Sequence, residues 1–145
     1  MTEFLKHIFI ILSVFQVFAI DVDNRFYTLE DYICMEQLGV DKAFVSSHVN
    51  EPFVLSRGVE QFNEYADCWA KEAGLLDYDD RLVYPVWESF VPNYMFNFIR
   101  KPYYPNKEEV AREILNACKP TAVGDSGADS VILLANCLFA EFMAL

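Results

Sequence analysis

The chain has 145 residues, 54% apolar and 23% charged, with 22 acidic residues against 11 basic ones and a formal charge of −11. That length fits a single domain with enough material for a core. The acidic surplus argues against a nucleic-acid backbone or an anionic membrane surface as partner, since both reward Lys and Arg. Five Gly, six Pro and the lack of repeats or low-complexity tracts exclude the disordered and fibrous classes.

The first stretch reads as a targeting leader. Lys6 precedes an apolar run of 11 residues from Ile8 to Phe18, broken only by Ser13 and Gln16, and Val17-Phe18-Ala19 follows with small residues where a signal peptidase cuts. The run is too short to cross a bilayer of about 30 Å at a rise of about 1.5 Å per residue. Residues 1–19 are therefore expected to be a signal peptide and 20–145 the folded domain, secreted and extracellular, with no membrane insertion. No N-x-Ser/Thr acceptor occurs in the sequence.

Along 20–145 the pattern is helical, with almost no alternation. Thr28-Leu29-Glu30-Asp31 opens a first helix, with a hydroxyl at the N-cap and acids in the first turn, and Gly39 stops it. Asp41 to His48 reads as a short second helix, which Glu51-Pro52 breaks. Ser56 is the expected cap of a third, on which Val59, Phe62, Ala66, Trp69 and Ala73 share a face and Gly74 marks the end. Pro85 suits the first turn of a fourth helix carrying Val86, Trp87 and Phe90, which Pro92 should stop near Val91. Tyr94 to Ile99 is aromatic-rich, and Pro102 and Pro105 enclose an irregular link. Asn106 caps a fifth helix on which Val110, Ile114 and Cys118 share a face, flanked by Ala111 and Leu115. Ser126 opens a sixth, apolar almost all round, with Asp129, Asn136 and Glu141 as a thin polar strip. Such a helix is buried on most sides. The expected class is all-α, about six short helices.

Four cysteines, Cys34, Cys68, Cys118 and Cys137, lie in the folded part. On an oxidising route they form two disulfides, with three pairings open. No two are close enough for a metal knuckle and only one histidine, His48, lies beyond the leader, so no metal and no cofactor are expected. Ser47 is adjacent to His48 in sequence and does not face it on a helix, so no catalytic triad is assembled. Adjacent acids such as Asp79-Asp80 and Glu108-Glu109 diverge into solvent. The chain is not read as an enzyme, and His48 is read as structural or exposed.

The cysteine context resembles the insect odorant-binding proteins, the pheromone and general-odorant-binding superfamily. That family normally has six cysteines paired first to third, second to fifth and fourth to sixth. Cys68 in Tyr65-Ala66-Asp67-Cys68-Trp69 resembles the third, and Glu64 stands where the second belongs. Cys137 in Leu133-Leu134-Ala135-Asn136-Cys137-Leu138 resembles the sixth, and Ala128 stands where the fifth belongs. Cys34 and Cys118 match the first and fourth. The two missing cysteines are the pair that would have bonded to each other, as in the four-cysteine ("C-minus") members. The spacing departs from the family in the 49 residues between Cys68 and Cys118, a longer stretch than usual.

The resemblance implies disulfides Cys34–Cys68 and Cys118–Cys137, helices around an internal apolar cavity, and reversible carriage of a small apolar or amphipathic molecule such as an odorant or pheromone. Nine Phe, eight Tyr and two Trp in 20–145 suit such a pocket. The candidate lining residues are Phe62, Trp69, Trp87, Phe90, Tyr94, Phe98, Leu115, Leu134, Leu138 and Met143, with Leu145 entering through a C-terminal tail. A membrane receptor and a homodimer stand as further partners, and nucleic acid does not. Two alternatives remain: a salivary or haemolymph scavenger of biogenic amines or lipid mediators from the same superfamily, and a secreted helical signalling or structural protein with a filled core. With one histidine, a switch near pH 6 is not available. Ligand affinity should therefore stay flat from about pH 7.5 to about pH 6, and a steep loss in a titration across that window would refute it.

Overall fold

A computed structural model describes residues 22–145. The signal-peptide reading of 1–19 lies outside the described residues. Six α-helices follow one another: α1 (Leu29–Leu38), α2 (Lys42–Ser47), α3 (Glu60–Glu72), α4 (Tyr84–Phe98), α5 (Lys107–Cys118) and α6 (Gly127–Met143). Between α2 and α3 lies one antiparallel hairpin, β1 (Val49–Asn50) with β2 (Val54–Leu55), in register Val49 opposite Leu55. The all-α class holds, and the cysteines pair as Cys34–Cys68 and Cys118–Cys137. The first bridge ties α1 to α3 and the second ties the end of α5 to α6. In the chain-entropy picture, loops of this size stabilise by roughly 3–4 kcal/mol each.

Local chemistry accounts for most boundaries. At the start of α1 the Asp31 carboxylate accepts from the Thr28 main-chain N–H at 2.7 Å and from the Thr28 hydroxyl at 3.0 Å, the reciprocal capping the sequence suggests. Gly39 ends α1 at φ 64°, a left-handed conformation that costs a residue without Cβ little. Asp41 caps α2 by accepting from the Phe44 N–H at 2.9 Å.

Several expectations need correction. Ser56 does not cap α3; its N–H donates to the His48 carbonyl beside the hairpin, and Val59 takes the cap position. The hairpin itself lacks the alternation that would have announced it, because two-residue strands are too short to show a period. Pro92 does not end α4, which continues to Phe98 with Pro92 buried inside it. An interior proline costs about 3 kcal/mol, and the buried Trp87, Val91, Met95 and Phe96 on either side offset that cost. Asn106 begins α5 from a left-handed backbone, with no cap bond from its side chain. The inward face of α5 is Ala111, Leu115 and Cys118, while Val110 and Ile114 are half-buried.

Helix α6 is the centre, packed against α3, α5, α4 and β2. Two of the three residues of its polar strip, Asp129 and Asn136, turn to partners in the protein, and Glu141 is exposed. Asn136 accepts from the Leu55 N–H at 2.8 Å and donates to the Leu55 carbonyl at 3.0 Å, so a side chain completes the outer edge of the hairpin. Asp129 accepts from Arg57 at 3.0 and 2.9 Å, and from the Asp125 N–H at 3.0 Å. Asn136→Ala should orphan both Leu55 groups and cost roughly 2 kcal/mol. Urea unfolding checks this, and an unchanged midpoint would show that water replaces the amide.

Candidate functional site

Two helices turn aromatic stripes, and a third a mostly aliphatic one, toward one point. On α3, Phe62, Tyr65, Ala66 and Trp69 recur at three- and four-residue spacing, which puts them on one face. On α4, Trp87, Phe90, Val91 and Tyr94 do the same, and on α6, Val131, Ala135, Leu138 and Phe139. Together with Phe26, Asp31 and Leu55 they line an internal hollow of about 60 Å³. Its wall is ring against ring: Phe90 stacks on Tyr94 at 4.8 Å and meets Trp69 edge-on at 5.8 Å. An apolar cavity that takes benzene is about 150 Å³. A ring-sized guest therefore enters here only by turning side chains aside.

One wall group is ionisable. Asp31 is 2% exposed. Besides the two bonds from Thr28, it accepts a hydrogen bond from the Tyr65 hydroxyl. The Trp69 indole N–H donates to the Thr28 hydroxyl oxygen at 3.0 Å, so two ring-bearing side chains of the wall are oriented by one helix cap. Burial raises the Asp31 pKa, and the hydrogen bonds from Tyr65 and Thr28 pull it partly back. Burial, then the Asp31 charge, raises the Tyr65 phenol. Burial likewise raises Tyr94, whose hydroxyl donates to the Phe26 carbonyl at 2.7 Å.

Of the residues proposed from the sequence, Phe62, Trp69, Trp87, Phe90, Tyr94 and Leu138 meet at the hollow. The other four lie elsewhere. Leu134 is fully buried but sits about 100° around α6 from Ala135, at the middle of the lining stripe. Leu115 is on α5, which contributes nothing to the hollow and packs behind α4. Phe98 and Met143, with Leu145, line a separate open groove. Sequence reasoning missed Asp31, Tyr65 and Phe139. Tyr65 follows Phe62 by three residues on a face already identified. For Asp31 the capping role was legible and the burial was not.

His48 lies off the hollow, stacked on Phe62 at 5.0 Å with Phe44 at 4.9 Å, and burial lowers its pKa. Among the described residues, no three His, Cys, Asp or Glu side chains converge where a metal ion could sit, and no helix is long and apolar enough to cross a membrane. The arrangement can bury a small apolar molecule and offer it one acceptor. Compared with family models, curated proteins and solved structures, the chain matches none.

The sign of the Asp31 effect is testable. Its raised pKa means the fold prefers the protonated form, so Asp31 subtracts stability as pH rises above the ordinary carboxylate range and through the raised value. The Tyr65 bond offsets that loss. Tyr65→Phe should destabilise by about 2 kcal/mol at a pH well above the raised value and much less at one well below it. Paired denaturant curves at the two pH values measure this; an equal loss at both would place the effect in packing.

Proposed function

We propose that the chain is a secreted carrier of the odorant-binding type, which buries a small, mostly apolar molecule reversibly and performs no chemistry on it. The observation that carries this reading is the hollow, an apolar, ring-walled space at the meeting point of three helices whose other inward faces are packed. Two disulfides support an oxidising, extracellular setting.

The family reading draws support from the covalent frame. The pairing found is the one of three that the resemblance implies. Glu64 on α3 and Ala128 at the start of α6, where the missing bridge belongs, line one shallow groove together.

A fluorescent apolar probe tests the reading. It should bind and be displaced by small apolar alcohols and esters. Ala66→Leu, which grows a side chain from the wall into a hollow of about 60 Å³, should weaken the probe at least about tenfold, with a thermal melt of the variant to check that the fold survives the added volume. Of the alternatives, a filled-core signalling protein leaves the probe unbound, and an amine scavenger prefers protonated amines over neutral ligands of equal size. Probe affinity that ignores Ala66→Leu would move the binding site out of the hollow.

A further inference from the structure

A second concavity adjoins the first. An open groove of about 320 Å³ has a floor of Phe53, Phe98 and Phe142 and a rim of Arg25, Arg100 and Lys101. A single layer of rings divides it from the hollow. Phe53 lies 4.5 Å from Phe139 and 5.5 Å from Phe26, both of which line the hollow, and Phe98 lies 5.0 Å from Phe53 and from Phe139. Resting on the carrier reading above, we infer that this groove is the mouth of the hollow and holds the head of an anionic amphiphile, a long-chain carboxylate whose tail enters by turning the Phe53 ring layer aside, the movement any guest of the hollow requires.

Charge is the first argument. Three of the chain's 11 basic residues, on a molecule of formal charge −11, stand around one apolar groove. Arg25 is already committed, to Asp23 at 3.0 Å and to the Phe98 carbonyl at 2.9 Å, and Lys101 donates to the Leu145 main-chain oxygen at 2.8 Å. Arg100 is the available cation: its side chain is 74% exposed and its ionic partner, Asp23, stands 3.7 Å away and is shared with Arg25. A guanidinium offers two parallel donors that match a carboxylate.

Backbone conformation is the second argument, and it is independent of the first. Arg100 follows α4 at φ 61°. Its N–H donates to the Asn97 carbonyl and that of Lys101 to the Phe96 carbonyl, the helix-ending turn in which glycine is the usual residue. A side chain with a Cβ is strained there, so an arginine held at this point works against stability. The strain places a cation at the rim of the groove.

Dodecanoate, dodecanol and dodecylamine, all below their micelle-forming concentrations, test the inference by displacing N-phenyl-1-naphthylamine from the folded protein at neutral pH. Dodecanoate should displace it at a concentration about tenfold lower than dodecanol does. Arg100→Gly and Arg100→Gln should each abolish that advantage and leave dodecanol unchanged, and Arg100→Gly should melt about 3 °C higher. Equal displacement by acid and alcohol, or tightest binding of the amine, overturns the inference and leaves the carrier reading intact. A probe that fails to bind at all brings down both. A lower melting temperature for Arg100→Gly overturns the view that the arginine is held at a cost. An anionic head on an acyl tail also occurs in membrane lipids, as a phosphodiester, so co-sedimentation with phosphatidylglycerol vesicles, in place of free-acid binding, also counts against it.

Discussion

A helix buried on nearly every side must surrender its polar side chains to partners or be pushed to the surface, and α6 satisfies that constraint at two points. Asn136 completes the hydrogen bonding of Leu55, and Asp129 takes the Arg57 guanidinium and the Asp125 N–H. These bonds fix both the rotation of α6 and its depth. Once they are made, Val131, Ala135, Leu138 and Phe139 can face only α3 and α4. The bridge from Cys137 to Cys118 then holds α5 against the remaining side. The position of the hollow follows from polar contacts made elsewhere on the same helix.

Why a space remains there is a matter of shape. Flat rings on α3 and α4 pack well edge to face in pairs, but three stripes meeting at one point leave a gap that small residues do not fill. Ala66 and Ala135 stand on that wall where leucines would close it. The Thr28–Asp31 cap reinforces the opening, since it holds Trp69 and Tyr65 by their polar ends and keeps both from turning inward. A buried carboxylate is an expensive way to fix two rings, because burial raises its pKa against the bonds that ionise it.

The sequence conveyed the helices because 3.6-residue periodicity survives wherever one face is buried, as on α3, and because Thr28, Gly39 and Asp41 are strong local punctuation. Where tertiary packing outweighs local preference it misled. Pro92 ends helices in most settings, yet here the apolar residues before and after it keep α4 going to Phe98. The lining followed the same division. Residues on the stripe of an amphipathic helix, such as Phe62 and Trp69, could be chosen by spacing. On α6, apolar almost all round, spacing does not separate Leu134 from Leu138, and only the rotation set by Asn136 and Asp129 does. Asp31 looks like any first-turn acid until Tyr65 is seen to cover it. The Arg100 conformation has no sequence signal, since nothing in Phe98-Ile99-Arg100-Lys101 announces a left-handed residue.

The two concavities differ in polar character, and on the carrier reading that difference would orient a guest. The hollow carries Asp31, a carboxylate whose buried neighbours are neutral phenols, a hydroxyl and an indole. The groove beyond Phe53 carries three cations: Lys101 is held by a Leu145 oxygen, and Arg25 and Arg100 share Asp23, whose pKa Arg25 above all lowers to about 2. An anionic head driven into the hollow would give up its water beside Asp31, where burial already disfavours the charged form of a carboxylate. The same head left at the mouth would meet Arg100 in water, at little desolvation cost, while its tail turned the ring layer aside to reach the apolar space. Desolvation within and attraction at the rim would then favour the same pose, head out and tail in, with the Phe53–Phe139 layer as the boundary between them.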